Sequence, residues 1–418
     1  MISADMTAQR VADASVPRSR VRSGDTSIDR RGRRRDVPAF LSYGFRPFFF
    51  LGALYAALAV PVWLVSYFGG FGPAGALTGV QWHAHEMIFG YLGAVMAGFI
   101  LTAVPNWTGR LPLSGAPLVV LVALWLAGRI ALFVDAEPIS ATVLDLAFPV
   151  LLAAAVWREI LAGRNFQNAP IAALLSLFAL ANLVDHLAVR WVLLDGCGVR
   201  LALAVATLLV ALVGGRVTPS FTRNWMARAG LSPLPSPMGR LDRIALAVTA
   251  IALVGWIAAP DRPAVGAGLL VAGGLLLARL VRWRGYRAAR EPIVLVLHLG
   301  YLWLAASLLL LGLAALVPSM MPSSAAIHAL TAGAIGTMTL AIMTRATRGH
   351  TGRTIAADAL TNAIYALATL GALLRVTAPF LGAMYPSLLA AAGIAWSSAF
   401  LLFACAYAPM LFRKRLAG

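Results

Sequence analysis

The histidines are the residues of this chain best suited to chemistry, because neutral imidazole binds iron and copper and also relays protons. Five of the six lie in or at the ends of hydrophobic segments. Ionisable groups are costly in lipid, and within membrane segments they mark a site by default. The candidate ligands are His83, His85, His186, His298, His328 and His350. They predict bound metal, a proton pathway, or both.

The segment 81–110 concentrates these groups, with two histidines and Glu86 ahead of an apolar run that ends in PNWTGR. His83 and His85 are two residues apart and point about 200° apart on a regular helix. Only one of them is therefore expected to face a given cofactor. Glu86 is a candidate proton relay, or an acceptor that orients a neighbouring imidazole.

Other polar residues have two interpretations each. Arg46 either snorkels at the start of the first helix or pairs with a haem propionate. Asp185 either sets the tautomer of His186 or is only its neighbour. Arg353 belongs to a basic, glycine-containing segment around His350 that suits an anion and equally an ordinary loop. A histidine in a membrane helix can also be a hydrogen-bonded packing residue.

The composition is that of a polytopic membrane protein. It is 60% hydrophobic and 12% charged, with a mean hydropathy of +0.82, whereas soluble chains carry about a quarter charged residues. The excess of 34 Lys and Arg over 16 Asp and Glu is typical of cytoplasmic loops and predicts no nucleic-acid partner. The two cysteines form no CxxC or CxxCH motif, which excludes thiolate metal sites and covalent c-type haem.

Twelve apolar spans predict an all-α fold in a lipid bilayer, since lipid cannot satisfy open backbone groups. Arginines alternate between the linkers so that both termini are expected in the cytoplasm. The predicted spans are 47–69, 83–105, 116–134, 139–157, 170–192, 199–220, 243–259, 264–283, 292–317, 325–346, 358–378 and 385–412.

Residues 1–36 predict a disordered basic cytoplasmic tail, with nine arginines. Residues 37–418 form the expected single membrane domain, with halves joined by the proline-rich linker 221–242. Similar Arg- and Thr-containing sequences end helices 2, 6 and 10. This weak repeat would suit three four-helix pseudo-repeats, although common use of Arg and Thr at cytoplasmic helix ends also explains much of it.

Several long motifs resemble the NnrS family of bacterial membrane proteins. They are FRPFF at 45–49, WHAHEMIFGY at 82–91, AGFILTAVPNWTGR at 97–110, HLGYLW at 298–303 and HALTAGAIGTMTLAIMTRATRGHTGR at 328–353. With the twelve spans, the resemblance covers nearly everything after the tail.

The resemblance implies a cytoplasmic (inner) membrane protein that contains haem b and copper. It also implies a role in nitric oxide metabolism and protection against nitrosative stress. His83, His85, His298, His328 and His350 match its histidine motifs, and His186 lies in a less distinctive context. The expected partners are nitric oxide or a related nitrogen oxide and an unknown electron donor.

A looser analogy connects the twelve spans with the catalytic subunits of haem–copper oxidases and nitric oxide reductases, which also carry histidines on helices 2 and 10. It predicts a haem between His328 and either His83 or His85, with His186 and His298 at further positions. The expected function is binding or reductive turnover of a nitrogen oxide, as an oxidoreductase. The alternative is a transporter or delivery protein for copper or haem that uses a histidine relay.

Overall fold

Twelve helices long and apolar enough to cross a membrane make up the computed structural model, which describes residues 26–28, 34–70, 77, 79–134 and 138–416. This confirms the prediction of an all-α polytopic membrane protein. The helices are α1 (Phe45–Gly69), α2 (Gly79–Thr108), α3 (Ala116–Phe133), α4 (Pro138–Ala162), α5 (Phe166–Ala188), α6 (Val192–Arg228), α7 (Arg240–Ala258), α8 (Pro263–Arg282), α9 (Pro292–Leu316), α10 (Ser323–His350), α11 (Ala359–Phe380) and α12 (Gly382–Phe412).

The predicted tail lies mostly outside the described residues. Within it, β1 (Thr26–Ile28) pairs antiparallel with β2 (Arg34–Asp36). The disorder of residues 1–36 and the single membrane domain stay predictions.

Helix α6 continues about two turns beyond the predicted end at residue 220, so the linker between the halves begins at residue 229. Thr222 on this extension lies 2.7 Å from Nε2 of His298, joining it to α9. Met226 is fully buried. These contacts keep the polar sequence TRNW helical where hydropathy alone predicts a linker.

Helices α2 and α10 form the centre of the bundle. In their most apolar 18-residue stretches, 83% and 72% of the residues are buried, whereas most other helices bury half or less. Few residues of α2 and α10 therefore face lipid, and the polar residues of these two helices face protein or internal cavities. The residues predicted to do chemistry on these two helices are held at the interior of the bundle.

Three helices contain a π-helical segment, and these helices are four apart in the chain. The segments are Glu86–Leu92 in α2, Val210–Gly214 in α6 and Ala329–Ile335 in α10. Such segments often occur at functional sites and leave backbone groups outside the regular ladder. Side chains donate to carbonyls within two of these segments: Trp125 Nε1 donates to Gly90 at 2.9 Å, and Arg279 Nη1 donates to Ala211 at 3.1 Å.

Arg46 joins the beginning of the bundle to its end. Its guanidinium donates to the carbonyls of Met410, Leu411 and Arg413 at 3.3, 2.8 and 2.7 Å. The side chain is only 2% exposed, so it does not snorkel. The last carbonyls of a helix have no intrahelical donor, and Arg46 supplies one for the end of α12.

Candidate functional site

A cavity of about 420 Å³ opens at the end of the bundle opposite Arg46, and we call it the His83 cavity. Helices α1, α2, α10, α11 and α12 surround it. Its volume is within the range of about 300–1,000 Å³ typical of cofactor pockets. Most of its lining is apolar, and the groups able to bind a ligand are His83, His328, Arg375, Tyr67 and Tyr385.

His83 and His328 face each other across this cavity from α2 and α10. Their ring centroids are 6.5 Å apart and the ring planes differ by 11°. Nδ1 of His328 donates to the Ser324 carbonyl at 2.7 Å, which leaves Nε2 with a free lone pair. Fixing one ring nitrogen to a carbonyl is how metal-binding histidines are usually oriented.

Several other polar atoms of the cavity lack protein partners within the described part of the chain. Nδ1 of His83 is buried without a hydrogen bond, and so are Nε and Nη1 of Arg375. The His83 ring stacks on Trp63 at 4.3 Å, which holds it in place. Buried polar groups are normally satisfied, so this site has unused capacity for a metal and for an anionic group.

His85 points away from the His83 cavity and into a second group of ionisable residues. We call this group the Asp145 cluster, and it joins α2, α3, α4 and α5. Its members are His85, Glu86, Arg129, Asp145, Asn182, Asp185 and His186. The prediction that only one of His83 and His85 faces a given cofactor agrees with this separation, which follows from their spacing on a helix.

Asp145 is the centre of this cluster and is 2% exposed. Its Oδ2 accepts hydrogen bonds from Nε2 of His85 and of His186, each at 2.9 Å, and from Asn182 at 2.8 Å. Arg129 pairs with its other oxygen. One carboxylate therefore positions two imidazoles and one guanidinium.

Asp185 contacts His85 and not the adjacent His186. Its Oδ2 lies 2.8 Å from Nδ1 of His85. Both nitrogens of the His85 ring thus face carboxylate oxygens, an arrangement that suits an imidazolium or an imidazole bound to metal through one nitrogen. Residues 185 and 186 diverge because neighbours on a helix point about 100° apart.

Glu86 contacts no imidazole. Its Oε2 accepts hydrogen bonds from Arg129 Nη1 at 2.6 Å and from the Tyr55 hydroxyl. The carboxylate is completely buried. Its role as a proton relay stays a prediction, and its structural role is to share Arg129 with Asp145.

The Asp145 cluster can accommodate a cation. Donor atoms of His85, Asp145 and His186 all lie within 4.8 Å of one another. The cluster has three carboxylates (Glu86, Asp145 and Asp185) and one guanidinium, that of Arg129. Buried charge of one sign is costly unless it is compensated, so the charge balance of the cluster suits an added cation.

Replacing Arg129 with methionine is expected to destabilise the protein by about 3–5 kcal/mol, because it leaves two buried carboxylates without their cation. Thermal unfolding of the detergent-solubilised protein measures this. Arg158→Met is the matched control, since that side chain is 64% exposed in its pair with Glu159 and such pairs contribute about 0–1 kcal/mol. Equal stability of the two variants would contradict the assigned role of Arg129.

His298 is separate from both groups. Its Nε2 contacts Thr222 at 2.7 Å, and it lines none of the described cavities. A Cβ placed on Gly285 would lie 2.3 Å from its Nδ1, so the ring is tightly enclosed. This packing favours a structural role in joining α6 to α9.

His350 lines a third site, a cavity of about 560 Å³ at the end of the bundle that holds Arg46; we call it the His350 cavity. Arg216 and Arg345 also line it, and no Asp or Glu does. The ring of His350 lies 5.5 Å from that of Phe45. The repeated segments that end α2, α6 and α10 all contribute to this wall.

Arg353 and Arg46 do not line the described cavities. Arg353 Nη1 donates to the Thr351 carbonyl at 3.4 Å, in the segment after α10. The structure therefore places neither arginine beside His83 or His328, and gives the position facing those rings to Arg375 instead.

Sequence reasoning passed over Arg129, Asp145 and Arg375. Each is an ionisable residue inside an apolar span, and that signal by itself indicates a site. The histidines drew attention because imidazole binds metal, whereas the residues that orient or complement imidazole are carboxylates and guanidinium groups. A search for every charged residue within the spans would have found all three.

The comparisons with known proteins agree with the motifs. The family described as NnrS protein matches residues 39–415, nearly the whole chain. No curated protein matches the chain. The chain, with its twelve membrane helices and its His83 and Asp145 sites, therefore belongs to the NnrS family.

Proposed function

We propose that this protein is a haem- and copper-dependent membrane metalloprotein of the nitric oxide response. Membership of the NnrS family supports the response to nitric oxide. The finer proposal is that it binds nitric oxide or a related nitrogen oxide, or reduces it with electrons from an unknown donor. This activity would protect the cell against nitrosative stress.

The observation that carries the proposal is the pair His83 and His328. Haem iron takes axial imidazoles from helices on opposite faces of the ring, and these two rings face each other from the two central helices. Nε2 of His328 is free for a metal, and Nδ1 of His83 is buried without a partner. The two histidines would hold haem b in the apolar His83 cavity.

Arg375 would bind a propionate of the haem. Arginine matches carboxylate geometry with two parallel donors, and two guanidinium nitrogens of Arg375 are unused in the described structure. This assigns to Arg375 the propionate contact that the sequence suggested for Arg46. The buried guanidinium gains its counter-charge only when the anion is bound.

The Asp145 cluster is the proposed copper site. His85 and His186 supply imidazole nitrogens, and Asp145 supplies a carboxylate oxygen. With a metal bound to His85, the contact of Asp185 with the far nitrogen of that ring would form a carboxylate–histidine–metal arrangement, which fixes the tautomer and raises the basicity of the ligand. Arg129 and Glu86 would support this site, since Arg129 pairs with Asp145 and donates a hydrogen bond to Glu86.

A bound haem would supply a redox-active iron; with both imidazoles as its ligands, a nitrogen oxide would bind by displacing one of them. The chain's own residues orient these imidazoles, since Trp63 supports the ring of His83 and the Ser324 carbonyl supports that of His328. The apolar wall of the cavity excludes water. Glu86 accepts a hydrogen bond from the Tyr55 hydroxyl on the neighbouring side of α2.

The test is a reduced-minus-oxidised spectrum of the purified protein, with metal analysis, before and after addition of nitric oxide. We expect a b-type haem spectrum that shifts with nitric oxide and copper that co-purifies. Purified protein without haem would overturn the proposal.

A transporter built on a histidine relay is the second class considered. In the described structure the histidines fall into separate places: the His83 cavity, the Asp145 cluster, the α6–α9 contact and the His350 cavity. Relay by imidazoles requires neighbours within contact, and no continuous row of this kind is present among the six. We therefore prefer the metalloprotein, in the bacterial inner membrane with both termini in the cytoplasm.

A further inference from the structure

A third, smaller cavity lies between the His83 cavity and the His350 cavity. Its volume is about 90 Å³, and α2, α5, α6 and α10 surround it. We call it the middle cavity. It shares Leu92 and Ile335 with the His83 cavity, and it shares Phe99, Ile171, Val213 and Ile342 with the His350 cavity. The three cavities therefore form one row along the axis of the bundle.

The lining of the middle cavity gives water almost nothing to bind. Thr339 is the one side chain of its lining with a polar group. That hydroxyl donates to the Ile335 and Gly336 carbonyls at 2.8 and 2.9 Å and contacts the Tyr91 hydroxyl. A buried water needs two to four polar partners, and an apolar cavity of about 150 Å³ stays dry and binds xenon.

The π-helical segments build this part of the row. Leu92, Gly214 and Ile335 are the last residues of the three segments, and all three line the middle cavity. One local distortion, repeated on α2, α6 and α10, thus places the narrowest part of the row at the centre of the bundle. Extra residues in a helical turn re-aim side chains and prevent the close packing of regular helices.

We propose that the row is a passage for small uncharged apolar molecules of diatomic size, connecting the His350 cavity with the His83 cavity. A diatomic molecule occupies about the volume of one water, roughly 30 Å³, and fits the middle cavity. Ions and protonated species are excluded, because the dry segment offers no groups to replace their hydration. The passage therefore joins two cavities that contain ionisable groups without opening an ion leak.

The inference that nitric oxide is the molecule that moves through the passage rests on the proposed function, whereas the existence of the passage does not. Xenon tests the passage directly, because it binds apolar cavities without needing haem or copper. We would soak crystals of the full chain with pressurised xenon and locate the atoms by anomalous scattering. We expect xenon in the middle cavity beside Val213 and Met338.

Val213→Trp fills the middle cavity and is expected to remove this xenon. Val254→Trp is the matched control, since Val254 is 67% exposed on α7 and should leave it unchanged. Ile342→Ala widens the cavity and should increase the occupancy, so the inference remains testable if the tryptophan variant does not fold. Xenon confined to lipid-facing grooves, or equal occupancy in all variants, would overturn the passage.

Nitric oxide rebinding after flash photolysis tests whether nitric oxide moves through the passage. In haem-loaded protein, Val213→Trp should slow bimolecular rebinding about tenfold, the effect of an added barrier of about 1.4 kcal/mol. Bound xenon with unchanged rebinding would show that nitric oxide uses another route and would overturn its transit while leaving the proposed function intact. Absence of haem would instead overturn the proposed function, and the xenon result would still decide the passage.

Discussion

Replacing either His83 or His328 with alanine should remove the haem and leave the copper in place. Each substitution deletes one of the two imidazoles that face each other across the His83 cavity. The other ring cannot compensate, because its helix carries no second histidine at this cavity. We expect bound haem, measured as the pyridine complex, to fall by about tenfold or more. The α-helical circular dichroism should be unchanged, since both rings line the cavity and no helix depends on either side chain.

His350→Gln is the matched control for these variants. His350 is also at an end of α10, but it lines the cavity at the other end of the bundle. The His350→Gln variant should retain its full content of haem. Haem lost from His350→Gln and kept in His83→Ala would transfer the haem to the His350 cavity and contradict the assignment.

Replacing His85 or His186 with alanine is expected to give the converse result, with copper lost and haem retained. Donor atoms of both rings lie beside Asp145, and copper prefers imidazole among the ligands available in this chain. We expect copper, measured by mass spectrometry per mole of protein, to fall about tenfold in each variant. Copper that followed His83 instead would contradict the proposed division of the two metals.

The same cluster predicts a pH dependence for copper. Copper competes with protons for the side chains of His85, Asp145 and His186, because metal ligands bind in their deprotonated form. Affinity should therefore decrease as the pH falls, and binding should release protons into a weakly buffered solution. Asp185→Asn weakens the support of His85 and should lower copper affinity by about 10–100-fold. A proton release equal in His186→Ala and in the unmodified protein would place the copper elsewhere.

The local features of this protein were accessible from its sequence. Twelve apolar runs predict twelve helices, because the backbone in lipid must bond to itself, and the bounds agree to within five residues except at both ends of α6, which runs from Val192 to Arg228. The separation of His83 from His85 also follows from sequence, since helical geometry directs residues two apart to different faces. The similar ends of α2, α6 and α10 suggested a repeat; the same three helices each carry a π-helical segment, and the four-helix pseudo-repeats stay a prediction.

The partners of each ionisable group were decided by the tertiary structure. Asp145 is 60 residues from His85 along the chain, and Arg129 is 43 residues from Glu86, so no spacing rule connects them. Asp185 contacts His85 rather than His186 because of how α5 is rotated against α2. Arg46 illustrates the same limit, because only the packing of α1 on α12 brings it to the carbonyls around Leu411. Hydropathy determines which segments cross the membrane, whereas side-chain packing between helices determines which charges meet.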